Sequence, residues 1–360
     1  MSKCLESLRY SVYTKKENLI RHFKLIYLLL LCCVTSFSEE ERYVTFEVDD
    51  MAELQYVPEY TDEAFGENTI DTNRSRHPWP FEALSIGHSM ASFQSYSWGQ
   101  AYFHHGIDIR GDEETPIYAA VGGKVVNVAN YYKGSRYYWE VAILDEQGYL
   151  WQYHHVDPDS IPQKIKTAFK NKASVPTGEL LGEIVDWPAS TYGEVYTHIH
   201  LNVIGKDGIY LNPLHFLESL QDVKKPVIQR IGILDKRGRP QSSNVARGDY
   251  GLFVQARDLL KHHKFHIPPY HVEYRIQNTN WKTVWKFDQL PGGSDREAFV
   301  NDFFVPRSTC GNYSCREIYI DLGFMQQNPF PQKAGSYELE VRVHDQAGNQ
   351  DQSSYKFQVR

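Results

Sequence analysis

The sequence predicts an all-β protein made of an antiparallel β-rich domain followed by a β-sandwich. From Trp79 onward, short alternating apolar and polar stretches recur between Gly and Pro residues, which is typical of short strands. Within this run of strands, only residues 163–171 show a helical pattern. The strand-like stretches of the first domain include 106–110, 116–120, 124–129, 140–144, 150–153 and 198–204.

A second set of strands follows the polar stretch Asp222-Val-Lys-Lys-Pro226, after a short helix predicted at 213–220. About seven short strands separated by turns favour an immunoglobulin-like β-sandwich, although the Cys-Trp-Cys pattern of antibody domains is missing. We therefore predict one domain over residues 76–222 and a second over 223–360. The strands of the second domain are predicted at 227–234, 251–256, 272–276, 282–287, 318–322, 337–344 and 355–359.

Composition limits the classes of partner. A chain of 360 residues that is 41% hydrophobic is long and apolar enough for about two domain cores. Its formal charge of -7 argues against binding nucleic acid, because phosphates require a basic face.

The first 38 residues resemble a secretory signal peptide. Four basic residues between Lys15 and Lys24 precede an apolar run over 25–37, and small residues come just before an acidic stretch. The run is shorter than the roughly 20 residues that span a bilayer, so we expect cleavage after Ser38 and no stable membrane span in the mature protein. We expect export to the periplasm, the cell envelope or the medium. Residues 39–75 are predicted to form an acidic linker.

Cleavage would leave Cys310 and Cys315 as the only cysteines and would change the formal charge from -7 to -11. In an oxidising compartment we expect these two to form a disulfide bond across a tight turn.

Histidine spacing indicates a metal site. If residues 103–109 form a strand, then His104 and Asp108 lie on one face with Gly106 between them, while His105 points into the core. His198 and His200 likewise share one face of another predicted strand, and either could reach a metal or its water. His154 and His155 end a third strand, and strand parity cannot choose between them.

One carboxylate and several histidines on neighbouring strands favour zinc. Three protein ligands leave a fourth position for a water, whereas a structural site usually adds a fourth protein ligand, often Cys. The pattern therefore predicts an open catalytic site that holds one Zn²⁺ per chain.

The order of several motifs resembles the lysostaphin/LytM-type peptidoglycan endopeptidases. The resemblance covers about residues 76–220 and implies a duplicated-hybrid-motif fold and a zinc endopeptidase that acts on peptidoglycan peptides. Its motifs are His104-x-Gly-x-Asp108, Thr115-Pro-Ile-Tyr-Ala-Ala-Val-Gly-Gly-Lys-Val125, Tyr153-x-His155, Thr177-Gly-Glu-Leu-Leu-Gly182, His198-x-His200 and Asn212-Pro213.

The resemblance implies that His104, Asp108 and His200 are the zinc ligands. It further implies that His198 is the general base and that His155 orients the water or stabilises the oxyanion. Asn202 departs from the family pattern, in which an acidic residue is common, and residues 157–174 resemble an insertion that could line the cleft. Two alternatives stay open: a catalytically silent regulator that binds peptidoglycan or protein, and a secreted peptidase directed at proteins.

Overall fold

The computed structural model describes residues 76–81, 89–91, 103–132, 134–187, 190–191, 194–195, 197–258, 267–290, 296–305, 319–324 and 328–360. The predicted signal peptide, acidic linker and disulfide lie outside these residues.

The described chain is mostly strands. In the first predicted domain these are β1 (Ser89–Ala91), β2 (Ile107–Arg110), β3 (Pro116–Tyr118), β4 (Gly123–Asn130), β5 (Trp139–Asp145), β6 (Leu150–His154), β7 (Ser174–Val175), β8 (Leu180–Glu183), β9 (Ser190–Thr191), β10 (Glu194–Val195), β11 (His198–Ile204) and β12 (Tyr210–Leu211). Two 3-10 helices lie at Arg136–Tyr138 and Pro213–His215, and α1 spans Gln163–Asn171.

The second predicted domain contributes β13 (Val227–Asp235), β14 (Asn244–Val245), β15 (Tyr250–Arg257), β16 (His271–Ile276), β17 (Lys282–Lys286), α2 (Arg296–Phe303), β18 (Tyr319–Asp321), β19 (Gly335–His344) and β20 (Gln350–Val359). The sequence did not predict β14 or α2.

An eight-stranded sheet dominates the first part of the chain. Its strands run in the order β1-β2-β11-β6-β5-β4-β7, and β12 pairs with β11. The pairings along β2, β11, β6 and β5 are antiparallel, as predicted. This order places β11 between β2 and β6, so the three histidine-bearing segments become neighbours although up to 96 residues separate them.

The second part of the chain forms a three-stranded sheet, β13-β15-β18, and a five-stranded sheet, β14-β20-β19-β16-β17. In β16 the side chains of Val272 and Tyr274 are buried, while those of His271 and Glu273 alternate with them on the outer face. Two sheets with one buried face are consistent with the predicted β-sandwich, and the all-β fold class is confirmed. The immunoglobulin-like type stays a prediction.

An aromatic cluster joins the first sheet to the second part of the chain. The Phe103 ring packs 5.4 Å from Phe287, 5.7 Å from Phe303 and 5.8 Å from Phe304. All four rings are nearly inaccessible to solvent. Phe103 immediately precedes His104, so a residue of the predicted site is attached directly to this core.

The chain divides into two compact units, residues 1–44 with 189–195 and residues 45–188 with 196–360. In the first, the described residues form an antiparallel ribbon of β9 and β10. The second contains all the other elements. No helix in the described ranges is both long and apolar enough to cross a membrane.

Two local predictions need correction. The helix predicted at 213–220 is a single 3-10 turn at Pro213–His215: Asn212 caps its start, but the chain is already extended at Leu217, which forms a bridge to His77. The predicted strand at 103–109 begins only at Ile107, so His104 precedes the strand. By contrast, α1 and the strands predicted at 198–204 and 227–234 are confirmed, with β13 one residue longer.

Candidate metal centre

The structure brings His104, Asp108 and His200 together. Cross-strand pairing sets Asp108 directly opposite His200, and His104 reaches the same point from the segment before β2. The Asp108 Oδ1 atom lies 2.8 Å from His200 Nδ1 and 3.1 Å from His104 Nε2, and the two nitrogens lie 2.9 Å apart. These three donor atoms are close enough to share one metal ion.

Gly106 is required by the close approach of β11. A Cβ atom at this position would lie 2.3 Å from the Leu201 carbonyl oxygen, 2.4 Å from Asn202 Oδ1 and 2.9 Å from His200 Nε2. These distances are far below van der Waals contact, so any larger residue would displace His200 or its strand. The glycine of the sequence motif therefore sets the width of the site.

A chain of hydrogen bonds fixes which nitrogen of His200 faces Asp108. Glu140, which is 3% exposed, accepts at Oε2 from Gln152 Nε2 at 3.2 Å. Gln152 Oε1 accepts from Asn202 Nδ2 at 3.2 Å, so Asn202 Oδ1 is left to accept from His200 Nε2 at 2.7 Å. Because a carboxylate can only accept, Glu140 sets the direction of every bond in this chain.

The consequence is a lone pair on His200 Nδ1. This lone pair lies 2.8 Å from the Asp108 carboxylate oxygen, and two acceptor atoms at that distance repel unless they share a cation or a proton. Burial lowers the pKa of His200 to about 4, so the ring is neutral at pH 7. Imidazole nitrogens and a carboxylate oxygen form a donor set that zinc accepts, and the site fits such an ion.

Asp108 is ionised in this setting. Burial alone would raise its pKa, but the nearby His104 and His198 rings and the hydrogen bond from His104 hold that pKa well below its usual value. A buried carboxylate in that state is stabilised by positive partners, which is what a metal ligand requires.

His198 and His155 form the other side of the site. The His198 Nε2 atom lies 3.6 Å from Asp108 Oδ1, farther than the three donor atoms lie from one another. The His155 and His198 ring centroids lie 4.6 Å apart, and Trp187 packs against both rings at 4.6 and 5.4 Å. Both histidines therefore border the predicted ligands without belonging to that group.

The backbone of His155 explains why strand parity could not choose between the neighbouring histidines. β6 ends at His154, and His155 has a φ of 65°, in the left-handed region that residues with a side chain rarely adopt. This turn breaks the alternation of faces, so both rings approach the site: His154 stacks on His200 with centroids 5.1 Å apart.

The tautomer of His155 follows from its partner. Its Nδ1 atom lies 2.8 Å from the Tyr137 carbonyl oxygen, which can only accept, so Nδ1 carries the hydrogen. Burial and the neighbouring His198 hold the pKa of His155 well below its usual value, and the ring is neutral. Its Nε2 atom is consequently the basic nitrogen, able to accept a proton or a hydrogen bond from water.

Several residues of the site were not identified from sequence. Glu140 and Gln152 were read as part of ordinary strands, and Trp187 lies in a segment with no motif of its own. The sequence did contain a signal for two of them: Glu140 and Gln152 are polar residues within otherwise apolar strands. His105 is buried and stacks on Tyr210 with centroids 4.7 Å apart.

The fold and the donor group together define a β-rich domain with a buried His/Asp metal-binding centre bordered by two further histidines. Comparison with known families is consistent with that class. Residues 102–213 match the sequence model described as "Peptidase family M23", so the chain contains an M23 peptidase domain. The predicted resemblance to lysostaphin/LytM-type peptidases is confirmed. A second family model, which carries no description, matches residues 225–360.

Solved structures give similar but distant matches. Helicobacter pylori Csd3 is 18% identical with a TM-score of 0.28, covering 41% of this chain and 34% of that one. The catalytic domain of the antimicrobial peptidase lysostaphin from Staphylococcus simulans is 19% identical with a TM-score of 0.28, covering 36% of this chain and 92% of that one. A zinc containing peptidase from Vibrio cholerae is 18% identical with a TM-score of 0.29, covering 41% of each chain.

This chain thus spans about a third of the length of Csd3. A comparison with curated proteins finds no match.

Proposed function

We propose that residues 102–213 hydrolyse peptide bonds of bacterial peptidoglycan with a zinc-activated water, in a protein that is exported. The observation that carries the chemical part is the convergence of His104 Nε2, Asp108 Oδ1 and His200 Nδ1 within 3.1 Å of one another. The substrate part rests on the resemblance to lysostaphin/LytM-type enzymes and on the M23 peptidase match.

His104, Asp108 and His200 would hold the zinc ion. When bound, such an ion lowers the pKa of its water towards neutrality and polarises the scissile carbonyl. Asp108 supplies the negative charge of the ligand set. Asn202 orients the His200 ring by accepting a hydrogen bond from the His200 Nε2–H group. Gly106 allows β11 to approach closely enough for this arrangement.

The two bordering histidines handle the protons. His198 is placed next to Asp108, where it can accept the proton of the attacking water and return it to the leaving amine. The neutral His155 presents a basic Nε2, because Nδ1 donates to Tyr137. We therefore assign His155 to accepting a hydrogen bond from the water and orienting it, one of the two roles that the resemblance implied.

The test is zinc content and turnover of the mature protein, residues 39–360. We expect about one zinc at the M23 centre, the group formed by His104, Asp108 and His200, and release of muropeptides from purified peptidoglycan. Asp108→Ala should lose that zinc and activity, while His198→Ala should keep the zinc and lose turnover. His105→Gln is the matched control and should keep both, because His105 stacks on Tyr210 and is not one of the three donors.

Each other outcome has a defined meaning. Zinc binding without release from walls of several chemotypes, together with cleavage of casein, would favour a protein-directed peptidase. Zinc binding without cleavage of either substrate would favour a silent regulator of other wall hydrolases. Amino-terminal sequencing of the secreted protein tests the export proposal separately, and a first residue of Glu39 is expected.

A further inference from the structure

A second group of metal-binding side chains lies far along the chain from the M23 centre, on the outer face of the five-stranded sheet. His271 and Glu273 are two residues apart on β16, so their side chains share one face. His344 on β19 is paired directly with His271. The alternate residues Val272 and Val343 are fully buried, which fixes the three polar side chains on the outside.

The three side chains approach one another closely. His344 Nε2 lies 3.0 Å from Glu273 Oε2, and the His271 and His344 rings stack with centroids 5.0 Å apart. One ligand atom from each residue lies within 4.8 Å of the others. Imidazole, imidazole and carboxylate on one open face resemble the ligand sets that divalent transition metals accept.

Two basic side chains lie near the three residues, and neither contacts both oxygens of the Glu273 carboxylate in the interactions described below. Lys286 Nζ lies 2.9 Å from Asp288 Oδ2. The Arg342 guanidinium contacts Glu273 at Oε2 through both Nε and NH2, at 2.9 and 2.7 Å. His344 also contacts Oε2, so the interactions of this carboxylate are concentrated on one of its two oxygens.

We propose that His271, Glu273 and His344 form a second metal site that binds a divalent transition metal through imidazole and carboxylate donors, with Zn²⁺ as the probe. The site is separate from the M23 centre, and the proposal does not depend on peptidase activity. The plain alternative is a polar surface cluster in which Glu273 serves only as the partner of Arg342.

Zinc stoichiometry of the mature protein distinguishes the two. We expect about two zinc ions per chain in the parent protein at pH 7.5 and about one in the Asp108→Ala variant, measured by equilibrium dialysis and elemental analysis. In the Asp108→Ala background, His344→Gln should weaken the remaining site at least tenfold, on the order of a lost metal contact. His271→Ala combined with His344→Gln should abolish it.

Two controls keep the outcome clear. Glu340→Gln removes a carboxylate of β19 that pairs with Arg275, not with the proposed ligands, and should leave the second ion bound. If circular dichroism shows that the Asp108→Ala variant does not fold, His271→Ala and His344→Gln are introduced together into the parent chain, where the zinc count should fall from two to one. A parent that binds one zinc, or a second ion that persists after both His271 and His344 are replaced, would overturn the proposal.

Discussion

The direction of the hydrogen bonds between Glu140 and His200 leads to a prediction about paired substitutions. In the parent protein Gln152 donates to Glu140 and accepts from Asn202. Asn202→Asp would place a second carboxylate beside Gln152, whose single NH2 group cannot face both. Glu140→Gln would instead remove the acceptor that orients the chain. Each single change therefore leaves a buried polar group without a correct partner.

The double variant should recover much of this loss. With Asp at 202 and Gln at 140, the carboxylate accepts from both His200 and Gln152, and Gln152 Oε1 accepts from the new amide. The oxygen of that amide can still accept from Asn127, so only the 2.8 Å contact of Glu140 with His154 is lost. A buried group without its partner costs about 1–3 kcal/mol, so each single variant should lose that much unfolding free energy. The double variant should show a favourable coupling of about 2 kcal/mol, within the range measured for contacting residues.

The assay has two parts. Urea unfolding of the metal-free proteins gives the coupling energy, and competition with a chelator gives the Zn²⁺ affinity of the M23 centre. We expect Glu140→Gln to weaken that affinity about 10- to 100-fold, as is typical when a residue supporting a ligand is changed. The double variant should restore it, because His200 again donates through Nε2 to an acceptor.

Asp145→Asn is a matched control. Asp145 is also a buried carboxylate of β5, but it accepts from the Tyr149 amide and the Trp151 indole, outside the chain to His200. It should cost stability without changing Zn²⁺ affinity. The reasoning is refuted if the two single changes add to within about 0.5 kcal/mol, or if Asp145→Asn weakens zinc binding as much as Glu140→Gln does.

Three further predictions concern single positions. Because His155 has a φ of 65°, the free energy of unfolding of His155→Gly should exceed that of His155→Ala by about 1 kcal/mol in urea titrations, although both variants lose turnover. Equal stability of the two variants would contradict this argument. Gly106→Ala should destabilise the protein by about 1–3 kcal/mol or more and weaken zinc binding, since its Cβ would meet the Leu201 carbonyl at 2.3 Å; calorimetry and dialysis test this, and an unchanged melting temperature would rule it out. Burial raises the pKa of Asp321 from 3.8 to about 6, which means that the folded state favours the protonated carboxyl. This protonation stabilises the fold fully below pH 4, and the contribution is lost as the pH rises through 6. The stability of Asp321→Asn relative to the parent should consequently improve by about 3 kcal/mol between pH 4 and 8 in urea titrations, and a constant difference would disprove it.

Much of the fold could be predicted because the alternation of apolar and polar residues along a strand follows which of its faces is buried. The strands at 140–144, 150–153 and 198–204 lie within β5, β6 and β11. The grouping of His104, Asp108 and His200 was predictable from the order of the family's motifs. The spacing within each motif alone does not say which distant segments come into contact.

The rest depends on register and on backbone geometry. Glu140, Gln152 and Asn202 meet because β5, β6 and β11 pair in one register, and no local pattern specifies that register. The proximity of His271 to His344 depends in the same way on the pairing of β16 with β19. The left-handed turn at His155 is a single-residue departure that alternation cannot foresee.

The packing of Phe103 has a consequence for moving the M23 domain of this chain into another protein. The residue beside a predicted metal ligand is anchored by three phenylalanines that the chain adds between residues 287 and 304. A peptidase fragment that ends near residue 222 would leave this ring exposed to water and His104 without its support. A carrier that receives the fragment would therefore have to supply an equivalent aromatic surface to cover the Phe103 ring.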